Sequence, residues 1–553
     1  MRRPSRRTLL KGIGIAGTAT LLGSNALAAE GEANDVEWPT AFHDDGRTSY
    51  APTTGLGPHA ALDFEIDDGG SSPPLENDPL PLVVNDGTLF VTTQYWTSFE
   101  THGEIAAYDA TGDGLVWYRG EDIGFVEGPP TVAAGTLYVC TNPDGPKAGD
   151  DTVREPNKGG LRAYDAETGD LLWKFKKRTR WEGSPIFHDD TLYAVSKEHL
   201  YALTPDGTVK WRTENGGYTL ARVGETLYTF DYKTLSAIST DGTKKWTKTL
   251  PENTDNESLV ATGTHLFVTH YDKGNEFSDT VWALSPDDGS VVWKTQVAPD
   301  NGDSRANRIS APATDGKKVY VTSIGNNASA LHALSVEDGE EVWQYTSGAE
   351  LVSRPTVTED TVYAGGTHIT SVKDPIPGAA QYAFDAESGE KRWGFGFREG
   401  YGYSPVNTAA QANDRLYIQL SGEGYPPHGS EAGVVRVVKP SETPPAGEHK
   451  LADDTPEKPE KPKPEPKITT QPPNAEERDF DSGATVTLHG SESTSENGPI
   501  SSYEWDIDAD GEFEKTGESI DVELDYCGVL DVTLRVTDEA GQTATESIPL
   551  STV

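Results

Sequence analysis

The 553-residue chain contains two cysteines, Cys140 and Cys527, and one methionine. Two distant thiols exclude a disulfide-rich scaffold and a four-thiolate zinc site. Cations are scarce: Lys and Arg total 46 against 89 Asp and Glu, for a formal charge of −43. That balance excludes a general nucleic-acid binder, whose phosphate contacts need a positive field. Beyond the N-terminal region, no run of about 18 apolar residues appears, so no integral membrane segment is expected in the mature chain. The sequence also lacks CxxCH, HExxH, GxSxG and a vicinal cysteine pair. What is abundant is Gly (57), Pro (37), Tyr (22) and Trp (12). Such a mixture breaks helices and suits many short strands joined by tight turns.

The N-terminus reads Ser5-Arg6-Arg7-Thr8-Leu9-Leu10-Lys11, followed by a Gly/Ala-rich stretch ending in Ala26-Leu27-Ala28. Paired arginines, leucines, a lysine and a small–x–small cleavage pattern resemble a twin-arginine export signal over residues 1–28. The expected product is secreted or associated with the cell surface. An exported chain covered in carboxylates resembles proteins of halophilic archaea. Molar salt there shortens the Debye length to about 3 Å and removes most of the self-repulsion.

Seven segments repeat one pattern: a small residue, a turn with glycine, then tryptophan. They run from Ala107 to Trp117, Ala163 to Trp173, Ala202 to Trp211, Ala237 to Trp246, Ala283 to Trp293, Ala333 to Trp343 and Ala383 to Trp393. The Trp-to-Trp spacings are 56, 38, 35, 47, 50 and 50 residues. Each period accommodates four strands and marks a radial or stacked repeat. Upstream of each turn lies a Leu/Val-Tyr/Phe strand, such as Leu137-Tyr138-Val139 or Val319-Tyr320-Val321. The AxDxxTGxxxW-like turns and LYV strands of residues 36–439 resemble the pyrroloquinoline-quinone-type (PQQ-like) repeat. That repeat occurs in quinoprotein alcohol dehydrogenases and in non-catalytic outer-membrane assembly scaffolds. The resemblance implies a β-propeller in which Trp117, Trp173, Trp211, Trp246, Trp293, Trp343 and Trp393 dock neighbouring blades.

Eight sets of the first three strands face only seven Trp-bearing fourth strands. Ala61-Leu62-Asp63-Phe64-Glu65-Ile66 is the candidate for the missing one, with Phe64 in the tryptophan's place. The expected fold is all-β, an eight-bladed propeller of four-stranded antiparallel blades closed by its own N-terminal strand. Seven blades is the alternative. Residues 440–467, rich in Pro, Glu and Lys, read as a stiff linker. Residues 468–553, with Ser502-Tyr503-Glu504-Trp505-Asp506 and the alternating Gly528–Asp538 stretch, resemble a PKD domain, an Ig-like β-sandwich with Trp505 in its core. Asp506, Asp508 and Asp510 alternate ahead of Gly511 and are candidate calcium ligands; Gly517 stands where a bidentate Glu would complete a twelve-residue loop.

Loops entering the first strand of each blade converge on the channel mouth, where Glu127, Trp181, Glu182, Asn307, Arg308, Arg354 and Tyr401 are the candidate ligand-binding residues. Lys174, Lys176, Lys177, Arg178 and Arg180 form a local basic patch. No catalytic residue is assigned. The expected function is a monomeric, non-catalytic scaffold binding an extracellular or cell-surface protein or glycan, with no firmly implied cofactor. The alternative is a calcium-dependent quinoprotein dehydrogenase of alcohols or sugars holding PQQ. A flat pocket over a Trp floor with converging Asp, Glu and Asn favours the enzyme, and a plain water-filled channel favours the scaffold.

The charge balance generates one expectation. Raising KCl from about 0.1 M to about 1 M, which cuts the Debye length from about 10 to about 3 Å, raises the melting temperature followed by circular dichroism. An unchanged or lower value at high salt contradicts the salt-adapted reading.

Overall fold

In a computed structural model, the residues described are 37–66, 80–96, 101–120, 123–142, 159–175, 181–231, 233–250, 259–270, 280–298, 308–324, 329–347, 351–369, 377–397, 409–420, 434–444, 463–495, 498–509, 511–525, 528–539 and 541–552. Residues 1–28, expected to be an export signal, Asn307, Tyr401, Asp510, Cys527 and residues 176–180 of the basic patch lie outside them.

Eight antiparallel sheets follow one another between Ala60 and Pro440. Blade 4 shows the plan: Thr219–Val223, Thr226–Asp231, Thr234–Ser239 and Lys244–Thr249 pair in sequence order. Blade 8 departs from it. Its first three strands are Ala410–Ala412, Arg415–Leu420 and Val434–Pro440, and its fourth is the N-terminal strand Ala60–Ile66. Ala61 pairs with Lys439 and Ile66 with Val435. The ring is closed by the first and last strands of the propeller, as the strand count predicts.

Each blade is tied internally by a three-strand ladder. In blade 6 Tyr320, Ala333 and Trp343 stand opposite one another on adjacent strands. The same aromatic–Ala–Trp order recurs in blades 1 to 7, with the two rings 5.9–6.1 Å apart. Alanine leaves room for the flanking rings to meet above it, a cross-strand arrangement that contributes beyond simple area burial. In blade 8 the order is Tyr417, Val437, Phe64. A larger middle residue accompanies the smaller ring.

Between blades the same tryptophans dock on the next turn. The indole N–H of Trp117 donates to Ala166 O, that of Trp173 to Pro205 O, and those of Trp211, Trp246, Trp293 and Trp343 to Thr240, Pro286, Val336 and Ala386 O, at 2.7–3.1 Å. The turn glycine lies directly on the ring: a Cβ built on Gly339 would sit 2.5 Å from Trp293. Phe64 meets Gly112 of blade 1 in the same way, at 2.9 Å. Having no N–H, Phe64 cannot make the polar bond, and the Tyr417 hydroxyl makes it instead, donating to Ala110 O at 2.9 Å. Trp393 faces blade 8, where chain ends replace the turn; its indole N–H has no partner among the described residues.

The tail domain forms two sheets, of three and five strands. Trp505 is fully buried between them, with Val486, Leu488, Val532 and Leu534, and donates to Gly517 O at 2.8 Å.

The docking contact predicts unequal costs for two glycine substitutions in blade 6. Gly339 and Gly316 both have positive φ, +75° and +83°, but only Gly339 touches a neighbour. Gly316→Ala should cost about 1–2 kcal/mol from the left-handed backbone alone. Gly339→Ala adds an overpacking cost of about 1–3 kcal/mol. Denaturation midpoints of the propeller check this; equal effects refute ring docking.

The closing strand carries a pH signature. Asp63 binds Arg415 at 2.8 Å and Lys439 at 2.6 Å, linking the N-terminal strand to the other end of the ring. Burial raises the Asp63 carboxyl's pKa, and the two cations more than reverse it, leaving it below the ordinary value. Its stabilisation is therefore complete above the unfolded carboxylate pKa of about 3.9 and is lost as pH falls through the lower folded value. Asp63→Asn should be less stable than the parent at neutral pH, and the gap should close on acidification. A gap independent of pH argues against the ion pairs.

Candidate functional site

Residues 38–56 precede the closing strand and thread the hub. Trp38 exchanges backbone bonds with Val84 of blade 1, and Pro39 O accepts from Val132 of blade 2. Asp45 O, Gly46 O and Thr48 O accept from Arg222, Ala261 and Thr314 of blades 4, 5 and 6. Ser49 O accepts from Val357 of blade 7, and Thr54 O from the Gln411 side chain of blade 8. Blade 3 is reached by the Arg47 side chain, which donates to Ser184 O at 2.8 Å. One segment thus touches every blade. Phe42, His43, Arg47 and Ser49 all hold positive φ, from 58° to 77°. Such backbone persists in non-glycine residues only where the surroundings over-determine it.

The blade partners of this segment lie toward the exit ends of the inner strands, beside the turns into the second strands. At the entrance ends is a cavity of about 330 Å³, with Ala41, Phe42 and Arg47 of the hub segment in its wall. The other lining residues precede or begin inner strands: Leu80 and Pro81, Glu127 to Pro129, Glu182 to Ser184, Tyr218 to Leu220, Leu259 and Arg354. The hub segment therefore backs the cavity on the exit side.

Arg47 is 3% exposed. All its donors are spent on neutral oxygens: Nε on Leu220 O, Nη1 on Thr40 Oγ1 and Ala41 O, and Nη2 on Ser184 O and Pro185 O. Burial lowers its pKa to about 10, opposed by Asp45 and Asp44, so it stays a cation at neutral pH. Arg354 donates to Arg47 O, and its guanidinium lies over the Phe42 ring, 3.8 Å from the centroid. Glu182 is buried, and Glu127 is held by the Asn142 amide. Asn142 also accepts from Trp181 N at 2.8 Å, joining blades 2 and 3 behind the carboxylates.

Of the residues expected at the mouth, Glu127, Glu182 and Arg354 meet at this cavity. Trp181 does not line it. Its ring is fully buried between blades 2 and 3, against Phe175 and Tyr201, because consecutive strand residues face opposite ways. Arg308 starts the short strand Arg308–Ile309, paired with Ile324. Phe42, Arg47 and Tyr218 were not anticipated. No local motif marks Phe42 and Arg47, since their partners lie far along the chain.

Pyrroloquinoline quinone requires a flat slot with calcium held by carboxylate and amide ligands. Around the described cavity the carboxylates are Glu127 and Glu182, no amide side chain joins the lining, and the Phe42 face is covered by Arg354. The described lining does not fit that group. Cys140 is fully buried, its thiol pushed up by burial and by Glu182 and Glu127, the opposite of an activated nucleophile.

In the tail domain Asp506 and Asp508 are joined by Glu514, their ligand-capable oxygens within 4.8 Å of one another. Asp506 also has a local role, accepting from Ala509 N at 2.8 Å and Gly511 N at 3.0 Å.

Comparison with known proteins adds the following. The family model described as outer membrane protein assembly factor BamB matches residues 70–295, 196–332 and 278–442. A PKD domain model matches residues 470–552. The chain is 28% identical over 110 residues to outer membrane protein assembly factor BamB of Shewanella oneidensis, which is 19% of this chain and 25% of that protein. It thus spans a quarter of that relative's length. Among solved structures it is similar to quinohemoprotein alcohol dehydrogenase from Comamonas testosteroni, with TM-score 0.51 and 14% identity over 75% of this chain and 82% of that one. It is also similar to quinohemoprotein alcohol dehydrogenase ADHIIG from Pseudomonas putida HK5, with TM-score 0.50 and 13% identity over 78% and 83%. At such identity the likeness establishes the propeller and nothing of its chemistry.

Proposed function

This chain belongs to the family described as outer membrane protein assembly factor BamB, and from that premise we propose that it is an extracytoplasmic, non-catalytic binding scaffold. Its propeller engages a protein or glycan partner through the channel-mouth face, and its PKD module supports work at the cell surface. Twin-arginine export and a brine-adapted acidic surface belong to the same proposal. No helix among the described residues is long and apolar enough to cross a membrane.

The observation that carries the reading is the composition of the hub. The chain's own residues 38–56 run through it, bonding to every blade, and the Arg354 guanidinium lies over the Phe42 ring in the cavity wall. Among the described lining residues Glu127 and Glu182 are the carboxylates and no amide side chain joins them, so the carboxylate-and-amide calcium seat that a quinone site needs is incomplete.

Absorbance titration of the purified chain with pyrroloquinoline quinone and calcium separates the two readings. No saturable spectral shift and no dye-linked alcohol oxidation are expected. A shifted, saturable chromophore with alcohol oxidation overturns the scaffold assignment and restores the dehydrogenase.

A further inference from the structure

We propose that the turns into the second strands of blades 3 and 4 together bind a divalent transition-metal ion of the zinc type, through His188, Asp189 and Glu225. The site lies at the exit ends of the inner strands, away from the entrance-side cavity, and is independent of what that cavity binds.

Two neighbouring turns supply the ligands. In blade 3 the first strand, Trp181–His188, ends in the histidine, and Asp189 and Asp190 turn the chain into Thr191–Ser196. In blade 4 Gly224 and Glu225 join Thr219–Val223 to Thr226–Asp231. One ligand-capable atom from each of His188, Asp189 and Glu225 lies within 4.8 Å of the other two. Donors bound to one tetrahedral zinc at about 2.0–2.2 Å stand about 3.4 Å apart. His188 Nε2 and Asp189 Oδ2 already stand 3.3 Å apart. Asp189 and Glu225 are both exposed, so rotation of solvent-facing side chains closes the remaining distance.

The imidazole separates this cluster from an ordinary acidic turn. Among the described residues two groups of three can share a cation, and the other one, Asp506, Asp508 and Glu514, is all carboxylate. Oxygen-only sets suit calcium and magnesium, whereas an imidazole nitrogen beside carboxylates suits zinc and its neighbours. The propeller repeat does not call for that nitrogen. Three residues ahead of the second strand, where blade 3 has His188, blades 1, 2, 4, 7 and 8 have Asn85, Ala133, Val223, Thr358 and Ala412.

The local charge favours a cation. Asp189 and Glu225 bring two carboxylates together, and among the described residues no Lys or Arg forms an ion pair with either. The two cations that reach these turns are engaged elsewhere. Lys210 Nζ donates to Asp190 O and Thr191 Oγ1, at 2.9 and 2.7 Å. Arg222 binds the Asp45 carboxylate at 2.6 Å and donates to Gly224 O. Behind the site, the Thr240 hydroxyl donates to the Glu225 carboxylate, the kind of outer contact that orients a metal ligand. A bound dication relieves the like-charge contact and ties blade 3 to blade 4. Because the ligands come from two blades, the ion favours the assembled ring over the unfolded chain and stabilises it by mass action.

The test uses the full mature chain, dialysed against a chelator, then titrated with zinc chloride by calorimetry and followed by melting temperature. Saturable zinc binding and a melting temperature that rises with zinc are expected. His188→Ala should weaken this binding about tenfold or more and remove the zinc-dependent rise. Glu225→Gln, on the other blade, should weaken it comparably, and both positions lie at surface turns where the fold tolerates change. Asp506→Asn, in the tail domain, should leave it intact. Calcium in place of zinc should give no response that depends on His188. Absence of saturable zinc binding, or binding that either His188→Ala or Glu225→Gln leaves unchanged, overturns the proposal.

Discussion

Every level of this architecture depends on an indole ring resting on a backbone that has no side chain. Within a blade, alanine keeps the middle strand low enough for the aromatic residue on one side to meet tryptophan on the other. Between blades, the same tryptophan lies on a turn glycine and donates its N–H to that turn. One side chain thus contributes ring packing inside its sheet and a hydrogen bond to the next. Repeating the unit replaces a single large core with a circle of similar interfaces, each buried by its neighbours. The closing joint shows which parts of the contact are separable. Phe64 retains the packing on Gly112, and the Tyr417 hydroxyl takes over the polar bond to Ala110 O. At the preceding interface there is no covalent turn, and the Trp393 N–H finds no equivalent among the described residues.

Closure has a consequence for the centre of the molecule. To supply the outermost strand of blade 8, the chain must first pass from the hub to the rim, and residues 38–56 make that passage while bonding to each blade. The same segment that delivers the clasp therefore occupies the hub. Its left-handed residues and the five-fold engagement of Arg47 are the local cost of fitting a non-repeating strand inside an eight-fold ring. The candidate cavity is what the segment leaves at the entrance ends of the inner strands.

The propeller was legible in the sequence because its signals are local. Small residue, turn, glycine and tryptophan fall within eleven residues, and seven copies expose the period. Even the substitute strand around Phe64 followed from counting. The hub was not legible, because Arg47 finds its partners at Ser184 and Leu220, and the Arg47 carbonyl is met by Arg354. Nothing near Arg47 in the chain announces those distances. Glu127, Glu182 and Arg354 were found because they precede inner strands and must approach the axis. Trp181 was assigned to the same place on the same ground, but it is adjacent to Glu182 on one strand. A period of two sends one of them to the cavity and the other into the seam between blades. Glu514 went unnoticed beside Asp506 and Asp508, because the loop reading looked for a carboxylate at position 517 and the chain folds back sooner.

Proteins similar to this fold include both quinohemoprotein alcohol dehydrogenases and an outer membrane protein assembly factor, so blade architecture cannot decide between catalysis and binding. The decision falls to the side chains at the axis, which lie outside the ladder that defines the repeat. Substitutions of the cavity side chains leave the Trp–Gly docking contacts untouched, so those side chains can vary while the blades stay constant. In this chain those positions hold Glu127, Glu182 and Arg354 among Leu80, Pro81, Tyr218 and Leu259, backed by a segment that belongs to the closure itself. Withdrawing residues 38–56 to admit a flat cofactor would detach bonds to all eight blades and loosen the strand that completes the ring. An occupant of the cavity must therefore leave the clasp in place.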